Sequence, residues 1–497
     1  MIASGVRLLV AICEAIVVVT AAVAVAVPLP LSVFLEAAST NQKAAQAAMT
    51  ALKEGWKDSY ASMIIDLARL MRPARRAPEE TMEPLASLDD ERSASTPARP
   101  SIDPPDAADP SSIARRRLLT FLGRQTKQSF GDDLNRWRQW MWALPYDPHP
   151  EYATFKGLVY GRIDPHMRAF FPPGVRSTIR LDEIDWGGVT VNGIPPLRDP
   201  VVLPAAAADY LKDSHIVFGV EMNGEARAYP KRILAWHEMA IDRIGGVELT
   251  IVYCTLCGTV IPFESRAGDR RFRFGTSGLL YRSNKLMFDE DTNSLWSAFE
   301  GVPVVGELVG SNISLKARAV VTTTWGEWRA AHPETTVLSL ETGYKRDYSE
   351  GAAYRQYFAT DRLMFEVSKT DHRLRNKAEV LVMAVASRRE AGARSPVAID
   401  TELLKKRPVY SLVVADRPLL VLTSARGANR VYETDVRFPN QRVTTTVTDE
   451  SGRVWRVTEA ALVRASDSSV RAPRVAAQRA FWFGWYAHFP NTRLIKE

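Results

Sequence analysis

Val247-Glu-Leu-Thr-Ile-Val-Tyr-Cys-Thr-Leu-Cys-Gly-Thr-Val-Ile-Pro-Phe263 is a β-run that breaks at a Cys-x-x-Cys-Gly turn and then resumes. Val247, Leu249, Ile251 and Tyr253 alternate with Glu248, Thr250 and Val252, the period of a half-buried strand. The turn holds Cys254 and Cys257, two of only three cysteines in the chain. Thiols two residues apart on a turn either close a small disulfide ring or aim both sulfurs at one metal ion. A single pair supplies only half of a tetrahedral site, so a metal needs further ligands. His237, in Trp236-His-Glu238, is the nearest candidate, with His332 and His372 further along. As a lone histidine beside Pro333, His332 is more simply a packed residue.

Outward from this run the texture from Arg180 is one of short alternating stretches punctuated by Gly, Pro and Asp. Asn223-Gly224 between apolar runs is a hairpin signal, and several such runs at short spacing suggest a barrel or sandwich. An internal repeat organises them. Trp325-Gly-Glu-Trp-Arg-Ala-Ala-His-Pro-Glu-Thr335 lines up without gaps on Trp482-Phe-Gly-Trp-Tyr-Ala-His-Phe-Pro-Asn-Thr492, an offset of 157 residues. Asp291 to Trp296 echoes Asp449 to Trp455 with one residue inserted, and Val247 to Phe263 is mirrored by Arg417 to Tyr432, with Gly427 at the place of Gly258. The expectation is a mainly β fold, α+β overall, with two related β-rich lobes from an internal duplication. Residues 180–375 form the lobe with the cysteine pair, and residues 376–497 a cysteine-free lobe. Each Trp-x-x-Trp reads as a plug closing its lobe.

Ahead of the lobes the sequence predicts four pieces. Leu8 to Val27 is apolar with Glu14 as its only charge, long enough to span a bilayer and longer than a signal-peptide core of roughly 7–15 residues. Residues 1–35 are therefore expected to be a retained transmembrane anchor. With Arg7 on its short side, the bulk of the chain is placed outside the cytoplasm of a bacterial inner membrane, in the periplasm, crossing once. Residues 36–72 read as one amphipathic helix that lies on the membrane, meets a partner helix, or packs on its own domain. Residues 73–112, rich in Pro, Ala, Ser and acidic side chains, read as a disordered linker. Residues 113–179 read as a small helical module, with Trp137, Trp140 and Trp142 as core.

The 497 residues carry a formal charge of +7, 46% hydrophobic and 24% charged residues, which is ordinary globular composition. The Arg72–Arg76 and Arg115–Arg117 clusters read as solvated or headgroup-facing charge, and no recognisable nucleic-acid module accompanies them, so nucleic acid is not an expected partner. The expected partners are the membrane itself, through the N-terminal helix, and a membrane protein.

Gly193-Ile-Pro-Pro, Arg227-Ala-Tyr-Pro, His237-Glu238, Tyr253-Cys-Thr-Leu-Cys-Gly-Thr259, Gly275-Thr-Ser-Gly-Leu-Leu-Tyr281, Ser294-Leu-Trp296, Thr323-Thr-Trp-Gly326, His332-Pro333, Arg346-Asp-Tyr348 and Phe481-Trp-Phe-Gly-Trp485 follow one another in that order. From about Ile184 to the C-terminus the chain thereby resembles the bacterial family called domain of unknown function 3179. The resemblance implies a grouping and a residue pattern, with no activity attached. The family pattern has proline after the first cysteine. Thr255 stands there instead, restoring an amide donor beside the sulfurs.

Three kinds of chemistry fit these residues. The first is a metal or redox site built on Cys254 and Cys257, with His237 or His332 completing a copper or zinc site, or with the thiols cycling to a disulfide. The second is a non-catalytic scaffold of a membrane-associated assembly, with a structural disulfide. The third is a hydrolase using Ser277 or the carboxylates near Asp289 to Asp291, although Gly275-Thr-Ser-Gly278 is not a nucleophile elbow. Glu238, Arg227, Tyr253, Arg346 and Asp347 are further pocket candidates, and Arg227 also reads as a packed strand end.

Overall fold

Turn chemistry and hydrophobic spacing lay down one plan twice. The computed structural model describes residues 27–71, 110–390 and 392–497. In it the first copy runs through a hairpin of Ile216–Met222 and Glu225–Pro230, a helix Lys231–His237, and strands Met239–Ile244, Val247–Cys254 and Thr259–Glu264. The second copy repeats this with Glu379–Ala386, Arg394–Asp400, helix Thr401–Lys406, and strands Val409–Val414, Arg417–Thr423 and Asn429–Glu433. The closing elements match as well. Val321–Thr324 pairs antiparallel with the first strand of its copy, leads into helix Trp325–Ala331, and Thr336–Leu338 returns parallel to the second strand. Gln478–Phe481, Trp482–His488 and Arg493–Ile495 do the same in the second copy. The protein is mainly β, with two half-barrel sheets and accessory helices.

The repeated residues are those that pin each copy shut. Trp328 Nε1 donates to Thr335 Oγ1 at 2.9 Å, and Trp485 Nε1 to Thr492 Oγ1 at 2.8 Å. Deeper in each lobe, Trp296 Nε1 donates to Asp289 Oδ2 at 3.0 Å and Trp455 Nε1 to Asp449 Oδ2 at 2.9 Å. Asp289, rather than Asp291, is therefore the counterpart of Asp449. The loop before the tryptophan differs in length, and the hydrogen bond, not the sequence spacing, fixes the match.

The Val247–Cys254 strand departs from the half-buried expectation. Leu249, Ile251 and Tyr253 face a core with Phe218 and Leu234, while Val252 and Cys254 face a second core shared with Phe481, Trp482 and Trp485 of the other copy. Even Thr250 is fully buried, its hydroxyl paired with Ser265 Oγ at 2.8 Å. The second lobe covers the face expected to meet water.

The copies exchange caps. Helix Trp482–His488 of the second lobe covers the cysteine turn of the first, where Phe481 N donates to the Cys257 carbonyl at 2.7 Å. In return Trp325 and Trp328 of the first lobe pack with Ala428, beside the corresponding turn of the second. Gly258 and Gly427 both end these turns at positive φ, 63° and 90°.

The helical part corrects several boundaries. Leu31–Ala37, assigned largely to the anchor, is a helix whose Phe34 and Ala37 are buried among the other helices. The single helix expected over 36–72 breaks after Glu54 into Gln42–Glu54 and Ala61–Arg69, because Gly55 ends the first helix. Residues Ala61–Ala68 are buried in their own domain, which supports neither a membrane-lying nor a partner-pairing role for this segment. Residues 110–112 open helix Pro110–Thr126 instead of ending a linker. Leu8–Ala26 and residues 73–109 lie outside the described residues. Among the described residues no helix is long and apolar enough to cross a membrane.

Buried ion pairs bind the helices to one another and to the first lobe. Lys156 Nζ meets Asp66 Oδ2 at 2.9 Å, Tyr152 Oη donates to the same oxygen at 2.6 Å, and Arg69 meets Asp185 at 2.7 Å.

Candidate functional site

Cys254 ends its strand and Cys257 lies three residues on, in a turn closed by Gly258. Both sulfurs are unbridged and buried, at 3% and 0% residue exposure. Opposite them a hairpin turn between Phe274–Tyr281 and Asn284–Asp289 places Arg282 and Ser283 at φ 49° and 62°. Two consecutive left-handed residues are the form in which Asn-Gly is preferred, so Arg-Ser here stores strain. The strained turn aims the Ser283 carbonyl oxygen at both thiols, 3.3 Å from Cys257 Sγ and 3.9 Å from Cys254 Sγ.

The thiols differ electrostatically. Burial pushes Cys254 up, but a hydrogen bond from the Cys257 thiol and the amides of Lys285 and Cys257 outweigh it, leaving Cys254 below the ordinary thiol value. Burial and its role as donor drive Cys257 well above that value. The amides that stabilise the Cys254 sulfur are thus those of Cys257 and Lys285, where the sequence had pointed to Thr255.

On the two facing turns Thr255 Oγ1 and Ser283 Oγ are buried with no hydrogen-bond partner, and so is Tyr253 Oη on the opposite face of the strand. Each orphan costs about 1–3 kcal/mol of desolvation. A buried hydroxyl of this kind takes its missing partner from an ordered water or a bound atom.

A small cleft of about 40 Å³ opens against Leu256, the residue between the cysteines, with Ile194, Glu238, Thr276, Lys285 and Tyr354 among its walls. Glu238 caps helix Lys231–His237 at φ 53°, a position that favours glycine. Its carboxylate meets Lys285 Nζ at 2.9 Å and accepts from Tyr354 Oη at 3.1 Å. Segments that carry the family resemblance, around Gly193, His237, Cys254 and Gly275, therefore meet at this cleft.

The expected histidine ligands do not join the sulfurs. His237 is fully buried, its Nδ1 2.9 Å from the Pro195 carbonyl and its Nε2 2.5 Å from Tyr348 Oη. A carbonyl only accepts, so Nδ1 carries the proton and Nε2 accepts from the tyrosine. Burial lowers the His237 pKa to about 4. His332 stacks on Trp328, with ring centroids 4.1 Å apart, and its Nε2 lies 3.6 Å from Glu459 of the second lobe. It belongs to the twin of the cysteine turn, and its counterpart Phe489 stacks on Trp485 at 4.2 Å. His372 is exposed. Among the described residues no group of three or more His, Cys, Asp or Glu side chains is arranged to hold a metal.

The other candidates divide. Glu238 lines the cleft, and Tyr253 contributes an orphan hydroxyl. Arg227 instead bonds Asp242 at 2.6 Å, Glu225 at 2.7 Å and Thr336 at 3.0 Å, locking strands together. Asp347 is exposed, and its carbonyl accepts from Trp236 Nε1 at 2.8 Å, while the Arg346 guanidinium reaches the Lys345 carbonyl at 2.9 Å. Ser277 Oγ donates to the Leu286 carbonyl at 2.6 Å, and Asp289 holds Trp296 and Thr292, which leaves neither for hydrolysis. Sequence reasoning missed Ser283, Asn284, Lys285 and Tyr354. The only forewarning was an unglycinated tight turn after Tyr281.

A sequence profile described as Protein of unknown function (DUF3179) matches residues 191–492, more than half of the chain. No curated protein and no solved structure matches it.

Proposed function

The chain belongs to the DUF3179 family, and from that membership, which brings no activity with it, we propose that Cys254 and Cys257 form a two-electron thiol redox centre for small oxidants. The reading is carried by one observation: two neighbouring unbridged sulfurs that share the Ser283 carbonyl as hydrogen-bond acceptor, with amides of Cys257 and Lys285 directed at Cys254. Cys254 is the attacking sulfur because its anion is the better solvated by donors. Cys257, held protonated, resolves.

Burial restricts the reactant. The sulfurs are sealed under helix Trp482–His488, and the cleft beside Leu256 has room for a few atoms only. A protein disulfide is excluded by size, and a small hydroperoxide is an oxidant of the size that the cleft holds. The Cys254 thiolate attacks the terminal oxygen, the O–O bond breaks, and an alcohol or water leaves as Cys254 becomes a sulfenic acid. The Cys257 sulfur then displaces water from Cys254, giving the disulfide. The thiols together lose two electrons and two protons, and the peroxide gains them.

The setting of this centre rests on the sequence alone. Leu8–Val27 anchors the chain in a bacterial inner membrane with its bulk in the periplasm, and a membrane protein is its expected partner. Alkaline extraction is expected to leave the chain in the membrane fraction, and protease added from the periplasmic side to digest its bulk. Extraction into the soluble fraction would contradict the anchor.

The chemistry is tested on the full-length protein in detergent. Exposure to a small hydroperoxide is expected to join Cys254 to Cys257 in a peptide lighter by two hydrogens, and Cys257→Ser is expected to trap a sulfenic acid at Cys254. If both thiols survive an exposure that oxidises free glutathione, the redox reading fails, and an anchored scaffold is what remains.

A further inference from the structure

We infer that Cys254 Sγ, Cys257 Sγ and the Ser283 carbonyl oxygen are three ligands of a site for a zinc-class divalent cation. The site uses the same sulfurs as the proposed redox centre but does not depend on that chemistry. It replaces the histidines that sequence spacing offered with a main-chain oxygen.

The distances fit. Zinc bonds of about 2.3 Å to sulfur and about 2.1 Å to oxygen, at the tetrahedral angle, put sulfur and oxygen about 3.6 Å apart. The two observed separations, 3.3 and 3.9 Å, lie on either side of that value. The carbonyl is held there by the left-handed Arg282-Ser283 turn, the two-residue connection of its hairpin.

The surroundings fit as well. Amides of Cys257 and Lys285 point at the Cys254 sulfur, and the Asn284 amide lies beside Cys257, where it favours the anion. Donors to ligating sulfurs of this kind spread thiolate charge and orient the ligands. Ser283 Oγ and Thr255 Oγ1, both buried and unpartnered, are the available neutral groups for the fourth position or for a water bound there. Charge decides the ion. Two thiolates neutralise a divalent cation, and the neighbouring Glu238–Lys285 pair is itself neutral, so the loaded site carries no net charge into a dry interior. A monovalent copper ion would leave one negative charge buried and gains little from a carbonyl oxygen. Loading releases two protons from the thiols and moves no electrons. It also excludes disulfide formation while the ion is bound.

The full-length protein, reduced, stripped with a chelator and re-exposed to zinc, tests this by elemental analysis and zinc-edge X-ray absorption. The expected result is one zinc per chain with two sulfurs and at least one oxygen in the first shell and no imidazole signature. His237→Gln and His332→Gln should retain the metal, and Cys254→Ser and Cys257→Ser should lose it. Because a core cysteine variant can misfold, the wild-type protein supplies a second readout: bound zinc should slow alkylation of both thiols by at least tenfold. Zinc absent while both thiols are reduced, imidazole in the first shell, or capture of monovalent copper in preference to zinc would each overturn the inference. The two readings separate cleanly. Disulfide formation by peroxide without zinc uptake defeats this inference alone, and zinc uptake without peroxide-driven disulfide formation defeats the redox reading alone.

Discussion

Gly484→Ala probes the seal between the second lobe and the cysteine turn. A Cβ at Gly484 would stand 2.9 Å from Cys257 Sγ and 3.0 Å from Cys257 Cβ, where ordinary contact begins at 3.4 Å. Helix Trp482–His488 must retreat by about half an ångström, since Cys257 is fixed from behind by the Ser283 turn. Overpacking of this kind costs about 1–3 kcal/mol. Alanine returns up to about 1 kcal/mol of helix propensity in a helix interior, less in a helix this short, so overpacking wins and a net loss of about 1–2 kcal/mol is expected. Two readouts apply to the full-length protein. The urea midpoint should fall with an unchanged slope, and alkylation of Cys257 by a small reagent should speed up because the helix no longer seals it. An unchanged midpoint together with an unchanged alkylation rate would refute the claim that this helix closes over the thiol.

Other consequences can be measured separately. Asp66→Ala strands the fully buried Lys156 ammonium without its carboxylate and should destabilise the fold by about 3–5 kcal/mol in thermal unfolding; a loss below about 1 kcal/mol would contradict the burial. At Glu459, burial raises the pKa, but Arg430, His332 and Arg474 outweigh it and hold the carboxyl at about 2. Its contribution, about 3 kcal/mol, is present above the ordinary glutamate value near 4.5 and disappears as pH falls toward 2, so Glu459→Gln should flatten that part of the stability profile. His237 stays neutral down to a pKa of about 4 because burial disfavours its charge. The unfolded chain takes up that proton near pH 6.5, so stability should fall between pH 6.5 and 4, and in His237→Gln the loss over that window should be smaller.

The sequence made the repeat legible because its residues serve a fixed geometry. Trp328 and Trp485 each donate to a threonine seven residues on, a staple whose two ends keep the same spacing in both copies. Asp289 escaped the same reading because the loop before Trp296 is one residue longer than that before Trp455, and spacing alone picked the wrong aspartate. The Val247–Cys254 strand was readable as a strand, but its burial on both faces was not, since the covering helix lies more than two hundred residues downstream. The cysteines announced themselves by type and spacing. Their companions did not, because a main-chain carbonyl has no sequence signature and orphaned hydroxyls look like any other serine or threonine. His237 misled for the complementary reason. It is close to the cysteines in sequence, yet its helix turns the ring toward Pro195 and Tyr348, where both nitrogens are already engaged.

The account stands on Cys254 and Cys257 being a chemical centre rather than two packed side chains. Titrating the reduced full-length protein with a series of small-hydroperoxide doses, trapping the remaining free thiols by alkylation in denaturant and weighing the Thr250–Phe263 peptide tests this directly. A single two-electron transition between a doubly alkylated and a bridged form is the expected result. Two thiols that stay reduced across the whole series, even when zinc has been removed, would contradict it.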